Sequence, residues 1–230
     1  TMPEYIERRF DSQLRTALVA LSLVLYVFTK ISATLFAGQL VLAELAALDP
    51  FTSAVCLIVG TTLYTVTGGL AAVIYTEAMQ TVVLLAGGFI LMAAGLDAVG
   101  GWAQLVARSP PQFFHMIRPT DDPEYPWTGF IPGYFFMSIW YWCGDQVIVQ
   151  RALAAKNVAH GRAGCVVAGL LKVIPVFIMC VPGICARVLM EERGHINASD
   201  AAAGRVDPGT YDRSYPWLIA EVLPQHTKGL

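Results

Sequence analysis

Charge is what this 230-residue chain has least of: 14% of its residues are Asp, Glu, Lys or Arg, against roughly a quarter in soluble domains. With 56% hydrophobic residues and a mean hydropathy of +0.56, that scarcity makes lipid the expected solvent. A net charge of −2 gives no basic field able to hold a phosphate backbone, which excludes nucleic acid as a partner. No CxxC pair occurs, and no His stands at ligand spacing from Cys56, Cys143, Cys165, Cys180 or Cys185. A zinc site is therefore not expected, and the five cysteines read as small buried apolar residues. The start, Thr1-Met2-Pro3-Glu4, lacks the basic residues, apolar stretch and cleavage site of a signal peptide, so the chain reads as beginning in mid-protein. Internal repeats and low-complexity tracts are lacking too.

What is present is a series of long uncharged runs. A bilayer core of about 30 Å takes about 20 apolar residues per helix, which makes the runs countable. Residues 51–75 and 78–96 contain no charge at all. Residues 16–47 form a longer run, interrupted by Lys30 and ending near Glu44, and are taken as one tilted helix. Residues 127–149 contain only Asp145, and 165–186 only Lys172. The fold class is therefore all-α integral membrane, with about five transmembrane helices in a single partial domain.

Cytoplasmic loops carry the excess of Lys and Arg. Arg8, Arg9 and Arg15 precede the first span, and Arg151, Lys156 and Arg162 lie between the fourth and fifth. Alternating spans put both groups on one face, so the N-terminus is expected in the cytoplasm and the segment 187–230 outside. Asn197-Ala198-Ser199, in that outer segment, matches the N-x-S glycosylation pattern at Asn197. Residues 97–126 carry Pro110, Pro111, Pro119, Pro123 and Pro126 and read as an outer loop with a short helix near Trp102 to Arg108.

Ionisable groups at membrane depth cost about 3 kcal/mol each and call for a reason. Lys172 lies about 10 Å from the nearer end of its run at about 1.5 Å per residue, too deep for easy snorkelling. It either donates hydrogen bonds to a hydroxylated or anionic solute or forms a buried pair that fixes packing. Asp145 reads as a helix-end polar contact or a ligand. Lys30, beside Thr29 and Ser32, either pairs or snorkels. Glu77, in the junction expected between two spans, either attracts a cation or sits as a solvated acid at a helix N-terminus.

Trp140-Tyr141-Trp142 falls within a span, where an interfacial belt explains it badly. Indole and phenol rings offer flat faces for a sugar ring and polar tips for its hydroxyls, or they simply pack. Pro132, Gly133 and Gly144 flank the cluster and allow the helix to break, as helices do around midplane transporter sites.

The stretch Trp140-Tyr141-Trp142-Cys143-Gly144-Asp145-Gln146-Val147-Ile148-Val149-Gln150-Arg151 closely resembles the sodium/glucose cotransporter family. So do Tyr26-Val27-Phe28-Thr29-Lys30-Ile31-Ser32 and the run from Leu63 to Thr76, in the same order along the chain. Among sodium/solute symporters the pattern looks like the sugar and inositol branch. The resemblance implies an internal fragment of an inverted-repeat, LeuT-like helical bundle. It also implies that Tyr141 covers the sugar toward the cytoplasm, that Trp142 stacks beside it, that Ser138 is a polar sugar contact and that Lys172 donates to the sugar. Glu77 matches an acidic position on the cation route, and the principal sodium site is expected outside this chain. Thr34 stands where many animal members carry Asp, and Glu77 replaces a shorter acid, which leaves sodium and proton coupling both open.

The expected function is sodium-coupled secondary active transport of a glucose-like hexose by alternating access, with Na⁺ as coupling ion, no other cofactor, and sugar, Na⁺ and lipid as partners. The alternatives are an inositol or polyol symporter and a non-transporting sugar sensor. The plasma membrane is the expected location. An enzyme is not expected, because His115, His160, His195 and His226 all lie outside the apolar runs.

Overall fold

The computed structural model describes residues 1–122, 125–197 and 206–224. Pro123, His226 and the Ala198 and Ser199 of the glycosylation triplet lie outside them. Every regular element among the described residues is helical. Among the described residues three helices are long and apolar enough to cross a membrane: Ser12–Ala43, Pro50–Val99 and Val158–Glu192.

The chain divides into two compact units. Unit 1, Thr1–Ser32 with Pro111–Leu170, holds helix α1 (Met2–Arg9), α2 (Ser12–Leu25) and a π turn (Tyr26–Ile31). It continues with α6 (Trp127–Ile139), a second π turn (Trp140–Gly144), α7 (Gln146–Leu153) and most of α8 (Val158–Leu171). Asp11 starts α2 by accepting from the Leu14 N–H at 2.6 Å. Asp145 starts α7 in the same way.

Unit 2 holds nearly all of α3 (Ser32–Ala46), with α4 (Pro50–Val99), α5 (Trp102–Arg108), a π turn (Val176–Cys180), α9 (Val181–Glu192), α10 (Pro208–Asp212) and α11 (Ser214–Val222). Helix α5 forms where the sequence predicts it. Helix α4 runs through both of the spans expected at 51–75 and 78–96, and its non-helical residue is Gly69, at φ +60°, ψ −160°. Glycine alone reaches that backbone region without a Cβ penalty. Residues 70–86 contain neither Gly nor Pro, so nothing stops the helix at Thr76-Glu77.

The packed core belongs to unit 2. Leu91 and Val99 of α4, Cys185, Val188 and Leu189 of α9, and Leu218 of α11 are all buried. Small residues let the helices close: a Cβ on Gly88 would stand 2.7 Å from the Ile178 Cβ, and one on Gly95 would stand 3.4 Å from that of Cys185. Pro182 has no N–H to give the Ile178 carbonyl, its acceptor one turn back. The Tyr215 hydroxyl donates to that carbonyl at 3.1 Å, and burial pushes the Tyr215 phenol pKa up.

Of the cysteines only Cys185 is buried, while Cys56, Cys143, Cys165 and Cys180 are exposed, contrary to the reading of all five as buried. A helix in an apolar solvent need not turn a small sulfur side chain inward. Phe28, Val66 and Tyr75 are 74%, 77% and 75% exposed, which suits lipid or further helices and not water.

Three variants test this packing by thermal denaturation in detergent. Gly88→Ala lowers stability by about 1–3 kcal/mol through overpacking against Ile178. Gly60→Ala, with nothing within 4 Å of its Cβ, does not. Tyr215→Phe costs about 1 kcal/mol by orphaning the Ile178 carbonyl.

Candidate functional site

In unit 1 the chain leaves helical geometry where three aromatic residues stand together. Pro132 removes a donor inside α6, and eight residues on the helix widens into the π turn Trp140–Gly144. The turn closes when the Asp145 N–H donates to the Trp140 carbonyl at 2.9 Å, and Asp145 itself is extended, at φ −69°, ψ 117°. Its carboxylate then caps α7, with Oδ1 accepting from the Val147 N–H at 2.9 Å.

Asp145 is 1% exposed and is the single buried residue among the described residues of unit 1. A carboxylate in that position requires a counter-charge, and Lys30 from the first π turn supplies it by pairing with Oδ2. The Tyr26 hydroxyl donates to Oδ1 at 3.2 Å and accepts from the Gln146 N–H at 3.3 Å. The alternatives left open in sequence are thereby decided: Lys30 pairs, and Asp145 is both a helix cap and an ion partner.

Aromatic faces surround the ammonium. Lys30 Nζ lies 4.6 Å from the Tyr26 ring centroid, 5.5 Å from that of Trp140 and 5.9 Å from that of Tyr141, within cation–π range. Tyr141 meets Trp142 edge to face, with centroids 5.4 Å apart and planes at 88°. Ser138 sits on α6, three residues before Tyr141 and four before Trp142, so the three share one side of the chain. Polar tips and aromatic faces of this kind suit a polyhydroxylated ring.

The other two expected site residues belong to unit 2. Lys172 is exposed, in the turn that follows α8. Glu77 is half-buried inside α4 and not in a junction, and it lines a cavity of about 710 Å³ with Gln80, Thr81 and Leu84. Asn197 is exposed. Tyr26 is not among the residues the sequence points to as site residues. The signal for it was indirect, since Lys30 and Asp145 carry opposite charges at membrane depth and a phenol precedes Lys30 by one turn.

The sequence model of the sodium:solute symporter family matches residues 1–230. The chain is 39% identical over 255 residues to sodium/glucose cotransporter 1 of Ovis aries, covering 100% of this chain and 38% of that protein. It is 41% identical over 251 residues to sodium/myo-inositol cotransporter 2 of Mus musculus, and the same to that of Oryctolagus cuniculus, covering 100% of this chain and 37% of each. The chain thus spans less than two fifths of the length of these relatives.

Asp145→Ala leaves the Lys30 ammonium and the Val147 N–H without their acceptor. The expected loss is about 3 kcal/mol, the low end for a broken buried pair because the Lys30 side chain is 37% exposed. Asp145→Asn keeps the cap without the charge and falls between this variant and the parent. Thermal unfolding of the three detergent-solubilised proteins gives the order.

Proposed function

The chain belongs to the sodium:solute symporter family, and from that premise we propose that it is the central part of a transporter coupling Na⁺ entry to uptake of a polyhydroxylated solute by alternating access. A glucose-like hexose is the first candidate and an inositol-like polyol the second. The observation that carries the reading is the family match over residues 1–230, together with the aromatic pair Tyr141 and Trp142 at a π turn where the helix breaks. Relatives named for glucose and for myo-inositol stand at similar identity, 39% and 41%. A common solute chemistry of ring hydroxyls fits both names.

In this reading Tyr141 and Trp142 stack on the solute ring and Ser138 meets a hydroxyl; the family resemblance alone supports Lys172 as a hydrogen-bond donor to the solute. Glu77 lies on the route of the cation, with Gln80 and Thr81 beside it. The basic residues Arg8, Arg9 and Arg15 support a cytoplasmic N-terminus, and a plasma membrane location follows from the coupling gradient. The membrane potential contributes about 2.3 kcal/mol per charge per 100 mV to accumulation, with no covalent step needed.

Uptake of labelled hexose and labelled myo-inositol by the full-length protein, in sodium and in choline medium, tests the proposal. Accumulation of at least one solute in sodium and not in choline is expected. Equal uptake in the two media removes sodium coupling, and acid-stimulated uptake in choline replaces it with protons.

A further inference from the structure

Lys30 stands outside the group assigned to the solute, yet it touches what holds that group in place. Its ammonium pairs with Asp145, whose N–H closes the π turn on the Trp140 carbonyl at 2.9 Å and whose carboxylate caps α7. The same ammonium lies 5.9 Å from the Tyr141 ring and 5.5 Å from the Trp140 ring. Tyr26 adds a second tie, bridging the Asp145 carboxylate at 3.2 Å and the Gln146 N–H at 3.3 Å. Among the described residues of this unit Asp145 is the one that is buried, and the turn it closes is tied to Lys30 and Tyr26 through it.

We propose that Lys30, assisted by Tyr26, is a positioning residue for the solute site: it fixes the Trp140–Asp145 turn and the Tyr141 ring, and through them sets the affinity for a polyhydroxylated solute. The proposal rests on the preceding reading that Tyr141 and Trp142 meet the solute. Ring stacking tolerates little displacement, so a turn free to shift by about 1 Å gives up affinity before it gives up the fold. Arginine in place of Lys30 retains the charge that Asp145 requires, although its planar fork fits a ring cage differently. Methionine retains the bulk and loses the charge.

The test uses the full-length protein with Lys30→Met, Lys30→Arg and Tyr26→Phe, in two arms. In the first, KM and Vmax are measured for whichever solute the parent accumulates, with surface amount measured alongside. Lys30→Met is expected to raise KM about tenfold with Vmax per surface molecule within about twofold, and Lys30→Arg to bring KM back to within about threefold of the parent. A parental KM in Lys30→Met, or a fall in Vmax alone, overturns the proposal. Should Lys30→Met not reach the surface, Tyr26→Phe decides: a raised KM supports the proposal and a parental KM overturns it.

The second arm needs no solute. Cys143, exposed in the same turn, is modified with N-ethylmaleimide in a version whose other cysteines are replaced. Faster modification in Lys30→Met, restored by Lys30→Arg, is expected, and equal rates overturn the proposal. A parent that accumulates neither solute sinks the functional reading while this arm still judges the placement of the turn.

Discussion

Unit 1 depends on one interaction, the pairing of Lys30 with Asp145. Asp145 is the one buried residue among those described in that unit. A buried carboxylate without a counter-ion is unfavourable by several kcal/mol. Its demand for a cation, a hydroxyl and backbone N–H groups is what draws the turn at Tyr26–Ile31 onto the turn at Trp140–Gly144. Helices in lipid gain little from apolar contact with one another, because lipid tails are equally apolar, so directional polar contacts carry more of the specificity. The aromatic turn Trp140–Gly144 ends at the same Asp145.

Unit 2 solves the same problem by shape. Gly88 and Gly95 bring α4 close to the segment around Ile178 and Cys185, and Leu91, Val188 and Leu218 fill the space between helices. Two of its ion pairs lie at the ends of the packed helices: Arg108 pairs with Glu192 and Arg193 with Glu221, fastening α5 and α11 to the end of α9. Such exposed pairs contribute little individually. Tyr215 is the more telling contact, since it answers a carbonyl that a proline had left without its donor.

Several elements were legible in the residues themselves. The uncharged runs at 51–75 and 78–96 make helix unavoidable, and the short helix expected near Trp102 to Arg108 forms there. The break between the two runs was not legible, because an acid at Glu77 looks like a loop while a glycine inside an apolar run looks like helix. Backbone freedom decided it: Gly69 takes a positive φ, and Glu77 continues the helix. Tyr141 and Trp142 stood out as aromatics misplaced for a belt. Tyr26 did not, because nothing in a tyrosine one turn from a lysine announces a partner 119 positions later.

The sequence by itself determined the solvent, the helical class, the family and the residue types able to meet a sugar, because hydropathy, charge and local motifs are properties of neighbours along the chain. It also counted two cations and two anions at membrane depth, Lys30, Lys172, Glu77 and Asp145, without saying which belong together. Only the tertiary structure decided that Lys30 takes Asp145. An ion pair is chosen by distance and desolvation, which are settled when two turns far apart in sequence come to face each other.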